Sequence, residues 1–109
     1  MELNKFQARV AEVSDLKTSY ERDEQGQVLF DEMGQPVVKA TWVEVTFDDG
    51  RISPELFGPF KVFGPAERFP YPVGTVGLLT LRMLRRATKD GQGYYMTVDL
   101  VDFEAGVAL

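Results

Sequence analysis

Three stretches of this chain alternate apolar and polar side chains with a period of two. That spacing belongs to a strand buried on one face. The clearest is "VVKATWVEVTF" (37–47), rich in β-branched and aromatic residues. Val37, Thr41, Val43, Val45 and Phe47 share one face with Lys39, and Val38, Ala40, Trp42, Glu44 and Thr46 share the other. Residues 2–13 alternate more weakly, with Phe6, Ala8 and Val10 opposite Lys5, Gln7 and Arg9. In "YYMTVDLVDFEA" (94–105), Tyr94, Met96, Val98 and Leu100 face one way, and Tyr95, Thr97, Asp99 and Val101 the other.

Turn signals separate these segments. "RDEQGQ" predicts a turn around Gly26, "VLF" (28–30) a short strand, and "DEMGQP" (31–36) a second turn. "DDG" (48–50) is a further turn. Residues 51–72 hold five of the six prolines and five aromatics, which leaves room for a short strand at Phe60–Phe63. No internal repeat stands out.

"LRMLRRATKDGQGYY" (81–95) admits two readings. Arg82, Arg85, Arg86 and Lys89 are spaced i, i+3, i+4, i+7, which is one face of a helix. As a strand, 76–86 and 94–104 are arms of equal length across an Asp-Gly turn, the signature of a hairpin. The strand is the favoured reading, because a strand needs a partner and Gly74 and Gly77 weaken a helix start. It places Leu79, Leu81, Met83 and Arg85 on one face and Leu78, Thr80, Arg82, Leu84 and Arg86 on the other. The expected fold is a single all-β domain over residues 1–109, a small barrel or sandwich; a five-stranded oligonucleotide-binding barrel fits the length.

Composition narrows the chemistry. The chain has no cysteine and no histidine, which removes disulfides, thiolate zinc sites and the commonest general base. It shows no phosphate-binding glycine loop, serine elbow or calcium-loop spacing. The expectation is a binding protein without catalytic residues, metal or cofactor; an enzyme would have to work with carboxylates alone. No apolar run approaches a membrane span and no signal peptide is evident, so a cytoplasmic protein without membrane attachment is expected.

The net charge of −5 is uneven. Residues 1–50 carry 5 basic and 11 acidic side chains, whereas 51–90 carry 7 basic and 3 acidic. Screening confines what a ligand feels to about 8–10 Å, so an acidic protein can still present a positive surface. The acidic residues of 15–36 (Asp15, Glu21, Asp23, Glu24, Asp31, Glu32) read first as a solvated loop. A surface that repels duplex DNA or binds a basic partner is the functional alternative.

"PVGTVGLLTLRMLRRATKDGQGYYMTVDLVDFE" (72–104) resembles the closing β-hairpin of bacterial single-stranded-DNA-binding proteins. The matching positions are Gly74, Val76, Leu81, Arg82, Lys89, Asp90, Gly91, Gln92, Tyr95, Thr97 and Val101. The upstream half is similar in layout to the small single-stranded-DNA-binding proteins of filamentous phages, through Gly34-Gln35-Pro36, "WVEVTF" and Pro72-Val73-Gly74. Both resemblances imply an oligonucleotide-binding barrel that coats single-stranded DNA during replication, in a phage or mobile element. They also imply a homodimer or higher homo-oligomer.

Such binding needs cations that track phosphates and flat side chains that stack on bases. Basic and aromatic residues that lie close in sequence give the candidate site: Lys17, Tyr20, Arg22, Lys39, Trp42, Lys61, Arg82, Arg86, Lys89 and Tyr95. Trp42 stands evenly between core and stacking platform. Tyr95 reads as exposed and Tyr94 as core. The rival function is a β-barrel protein-interaction or virion-structural module that binds no nucleic acid.

Overall fold

The computed structural model describes residues 2–51 and 53–107. Among them are six strands and one short 3-10 turn: β1 (Glu2–Val13), β2 (Lys17–Tyr20), β3 (Val38–Asp48), β4 (Leu56–Phe63), the turn Ala66–Arg68, β5 (Val76–Ala87) and β6 (Tyr94–Ala105). The all-β expectation holds, with one strand more than the five expected. The extra strand is β2, inside a segment whose polar composition masked it.

β1 is the central strand. Residues 2–9 pair antiparallel with β5, from Glu2↔Met83 to Arg9↔Val76. Residues 9–13 pair with β3, from Arg9↔Asp48 to Val13↔Val45, through a register shift after Val10. β2 continues along the same edge of β3, from Lys17↔Trp42 to Tyr20↔Val38. β4 takes the other edge of β3, and β6 pairs β5 along its whole length. The sheet thus runs β4-β3-β1-β5-β6 and curls around the core without closing. Among the described residues no ladder joins β4 to β6.

The basic stretch 81–87 is therefore strand, as its equal partner arm predicts. β4 is longer than the Phe60–Phe63 expected and runs through Gly58-Pro59. The ladder accommodates this with an irregularity between Val45↔Phe60 and Phe47↔Phe57, where a proline without an N–H costs no regular bond. Residues 28–30 form no strand of their own, only the isolated bridges Arg22↔Val28 and Phe30↔Pro36.

The core lies inside the curl. Phe47, Leu79, Val10 and Val45 are fully buried, and Ala8, Val43, Phe60, Phe69, Leu81 and Phe103 complete it. Phe47 sits at its aromatic centre, with ring centroids 5.0 Å from Phe103, 6.0 Å from Phe69 and 6.2 Å from Phe60. Tyr71 meets Phe69 and Phe103 edge-on at 5.2 and 5.4 Å. Side chains of the 66–71 segment thus help cover the core beside the unpaired strands. On β5, Gly77 admits no side chain: a Cβ would overlap the Glu104 carbonyl oxygen and come within 2.9 Å of Ala105 Cα.

Two hairpins outrun this core. The arm is the end of β5–β6 beyond Met83, where β1 begins; the wing is β2 with the start of β3 and the loop between them. Together they raise the radius of gyration to 17.3 Å, against about 13 Å for a compact chain of this length.

The wing tip contains a repeat that the sequence reading passed over. Asp23-Glu24-Gln25-Gly26-Gln27 and Asp31-Glu32-Met33-Gly34-Gln35 form the same loop. In each, the Asp Oδ1 accepts from the backbone N–H two and four residues on, at 2.9 and 3.0 Å in the first and 2.9 Å for both in the second. The Gly N–H donates to the Asp carbonyl, and the Asp N–H to the Gln carbonyl. Both glycines take the left-handed conformation (φ 81° and 76°) that favours glycine. Three residues eight apart then close a ring: Leu29 N–H donates to Glu21, Val37 to Leu29 and Glu21 to Val37, at 2.8–2.9 Å. The acidic segment is a hydrogen-bonded knob.

Candidate nucleic-acid interface

The ten residues expected to form the site separate into three groups. The first occupies the outer face of β2, β3 and β4. Val43, Val45 and Phe47 point into the core, so Trp42 and Glu44 point outward. Lys17 lies opposite Trp42 on β2, and Phe63 opposite Trp42 on β4. Lys61 pairs with Glu44 and shares the parity of Phe63.

The result is a compact aromatic and basic cluster. The Trp42 and Phe63 rings are 6.0 Å apart and tilted by 49°. Lys61 Nζ stands 4.9 Å above the Trp42 ring. Trp42 Nε1–H donates to Glu44 Oε2 at 3.1 Å, and Lys17 Nζ lies 3.7 Å from the same oxygen. Phe63 is 56% exposed, while Trp42 is half-buried. The Lys61–Trp42 cation–π contact is worth roughly 0.5–1 kcal/mol, less than the roughly 1–3 kcal/mol of a stacked base, so it would not by itself bar a flat ligand from the indole. Phe63 and Glu44 were not among the expected site residues. The period-two parity of Lys61 and Phe63 was the signal for the former. Phe60, of opposite parity to Lys61, is core.

The second group is on the outer face of β5 and β6. Arg82 lies opposite Asp99, and Arg86 opposite Tyr95. Arg82 Nη2 donates to Asp99 Oδ2 at 3.3 Å, and Arg86 Nη2 approaches the same oxygen at 3.8 Å. Arg86 Nε also donates to Thr97 Oγ1 at 3.1 Å. One carboxylate thus holds two guanidiniums side by side. At this exposure such pairs are worth about 0–1 kcal/mol. A guanidinium has five N–H donors, so both arginines keep donors for an incoming anion. Arg82 Nε is not one of them: it is buried, and has no partner among the described residues. Tyr95 is exposed as expected, and so is Tyr94, which the sequence reading placed in the core. On the inner face of the arm, Tyr94, Met96 and Val98 are all exposed.

A cleft runs from Lys61 and Phe63 of the first group to Asp99, the carboxylate that holds Arg82 and Arg86. Pro59, Phe60, Lys61 and Phe63 of β4 face Val98, Asp99 and Leu100 of β6 across the gap where the sheet does not close, in a volume of about 420 Å³. It adjoins a second hollow of about 350 Å³ that reaches Arg68 and Tyr71. Arg68, exposed beside Phe63, is a further cation the sequence reading missed.

The third group stands apart. Tyr20, Arg22 and Lys39 belong to the wing, where Arg22 Nη1 donates to the Gly26 carbonyl at 2.7 Å. Lys89 is in the arm's tip turn, which Thr88 Oγ1 ties to Asp90 Oδ1 at 2.6 Å. That bond and the Gln92 N–H hold the Asp90 carboxyl below its ordinary pKa.

Among the described residues no group of three or more acidic, cysteine or histidine side chains is placed to hold a metal ion, and no helix is long and apolar enough to cross a membrane. No protein-family model, curated protein or solved structure matches this chain.

Proposed function

We propose that this protein binds single-stranded nucleic acid, expected to be DNA, on the outer face of β2, β3 and β4, without catalysis. The observation that carries the reading is the pairing of exposed Phe63 with half-buried Trp42, with Lys61 over the indole and Lys17 across the ladder. Two flat rings side by side suit successive bases, and two lysines suit the phosphates beside them. The cleft past Lys61 leads to the Arg82–Arg86 pair, which would continue the phosphate track. The hairpin resemblance supports the same assignment.

Trp42 is the only tryptophan, so its fluorescence reports on the site directly. Titration with dT oligonucleotides at low salt quenches it. Phe63→Ala weakens binding by roughly 5- to 150-fold, the loss of one stacked base. Affinity falls as salt rises, with a log–log slope of about −0.7 per phosphate contacted. Absence of binding at low salt, or tighter binding to duplex, would overturn the reading. One feature favours the rival protein-interaction module: the wing tip exposes Phe30 and Met33, at 62% and 83%.

A further inference from the structure

The wing tip and the arm are complementary to one another. Residues 21–37 carry five acidic side chains against one basic, and display Leu29, Phe30 and Met33 to solvent. Residues 82–97 carry four basic side chains against one acidic. The arm's inner face, opposite the one that bears Arg82 and Arg86, presents Tyr94 (66% exposed), Met96 (56%) and Val98. Arg85 lies among them, opposite Met96 in the ladder, with its guanidinium 4.1 Å above the Tyr94 ring.

The two surfaces cannot meet within one molecule. The arm leaves the sheet at the N-terminal end of β1, where Glu2 pairs with Met83, and the wing leaves beyond its C-terminal end, through β2. The molecule is 50 Å along its longest axis. A contact between complementary patches at opposite ends is heterologous, and it propagates unless its rotation happens to close a ring.

We propose that copies of this chain associate head to tail, the acidic wing tip of one seating Phe30 and Met33 on the basic, apolar inner face of the next copy's arm. Apolar burial supplies the attraction, and the opposed charges set register and discourage wing-to-wing or arm-to-arm contact. The hydrogen-bonded ring at residues 21, 29 and 37 fixes the wing's backbone in advance, so little backbone entropy is lost on docking. The contact leaves the outer face of β2, β3 and β4 open, and it stands whether or not that face binds nucleic acid.

The test is sedimentation velocity on the full chain, without nucleic acid, over a range of protein concentrations at low and high salt. The wild type forms a concentration-dependent series of species, and salt shifts it toward smaller ones by screening the opposed charges. Glu24→Gln with Glu32→Gln touches no hydrogen bond seen in the wing and weakens association by roughly tenfold at low salt. A wing variant (Phe30→Ser, Met33→Ser, Glu32→Lys) and an arm variant (Tyr94→Ser, Met96→Ser, Arg85→Glu) are each monomeric. Mixed, they form a 1:1 dimer that grows no further, because only one intact wing and one intact arm remain. Folding of each is checked by circular dichroism. A wild type that stays monomeric at low salt, or stops at a dimer, overturns the proposal. So does a mixture of folded variants that fails to pair.

Discussion

Arg9 and Asp48 face each other directly across the β1–β3 ladder, and the pair shows how one position serves both register and charge. Arg9 Nε and Nη2 donate to the two Asp48 oxygens at 3.0 and 3.1 Å, a bidentate fork, and the Gly50 N–H adds a third bond at 2.9 Å. The Arg9 hydrogen bonds hold the buried Asp48 carboxyl below its ordinary pKa and raise that of Arg9. An unfolded Asp titrates near pH ~3.9. As pH drops below that value the unfolded chain takes up the proton first, so the stabilisation from Asp48 is present above about pH 4 and is lost as pH falls through the folded value. Thermal denaturation should therefore show a smaller fall in Tm from pH 7 to pH 3 for Asp48→Asn than for the wild type. At this scale the sequence was half legible. Parity placed Val43, Val45 and Phe47 inward once one of them was known to be buried, and so placed Trp42 outward. Tyr94 defied the same logic. Burial of a strand face needs a second layer, and only the register Glu2↔Met83 shows that β1 stops short of it.

Among elements, the two protruding hairpins were legible to different degrees. The β5–β6 hairpin announced itself through two arms of equal length and an Asp-Gly turn, because its hydrogen bonds are local in sequence. The wing did not. Its paired strand β2 is four residues long and polar, and its order comes from side-chain-to-backbone bonds repeated at an interval of eight residues. Asp31→Ala removes the acceptor shared by the Met33 and Gln35 amides. Those two amides should exchange with solvent markedly faster, as read by hydrogen-exchange NMR. Amides of the β1–β5 ladder should be unchanged, because the loop packs on none of the core. The expected cost is about 0.5–2 kcal/mol locally, by analogy with the loss of a helix cap. Equal protection in the variant would show that the ring at residues 21, 29 and 37 holds the wing without the Asp bonds.

For the whole molecule, stability rests on a core that the open sheet cannot close by hydrogen bonds alone. Phe47 touches rings from β4, from the 66–71 segment and from β6, so it links parts of the chain that share no ladder. Phe47→Ala should cost about 3–5 kcal/mol, a large share of a typical total of 5–15 kcal/mol. Phe30→Ala, on the exposed wing, should change stability by less than about 0.5 kcal/mol. Urea denaturation of the two variants side by side measures the contrast. Local sequence pattern carried the fold class, the strands at 2–13, 37–47, 76–86 and 94–104 to within a residue at each end, and the closing hairpin. Each rests on side-chain periodicity or turn chemistry read within a few residues. The tertiary structure alone decided that the sheet stays open between β4 and β6, that Lys17, Trp42, Lys61 and Phe63 meet on one face, and that wing and arm point to opposite ends. These follow from register and strand order, set by apolar burial between residues far apart in the chain, and no local pattern carries that information.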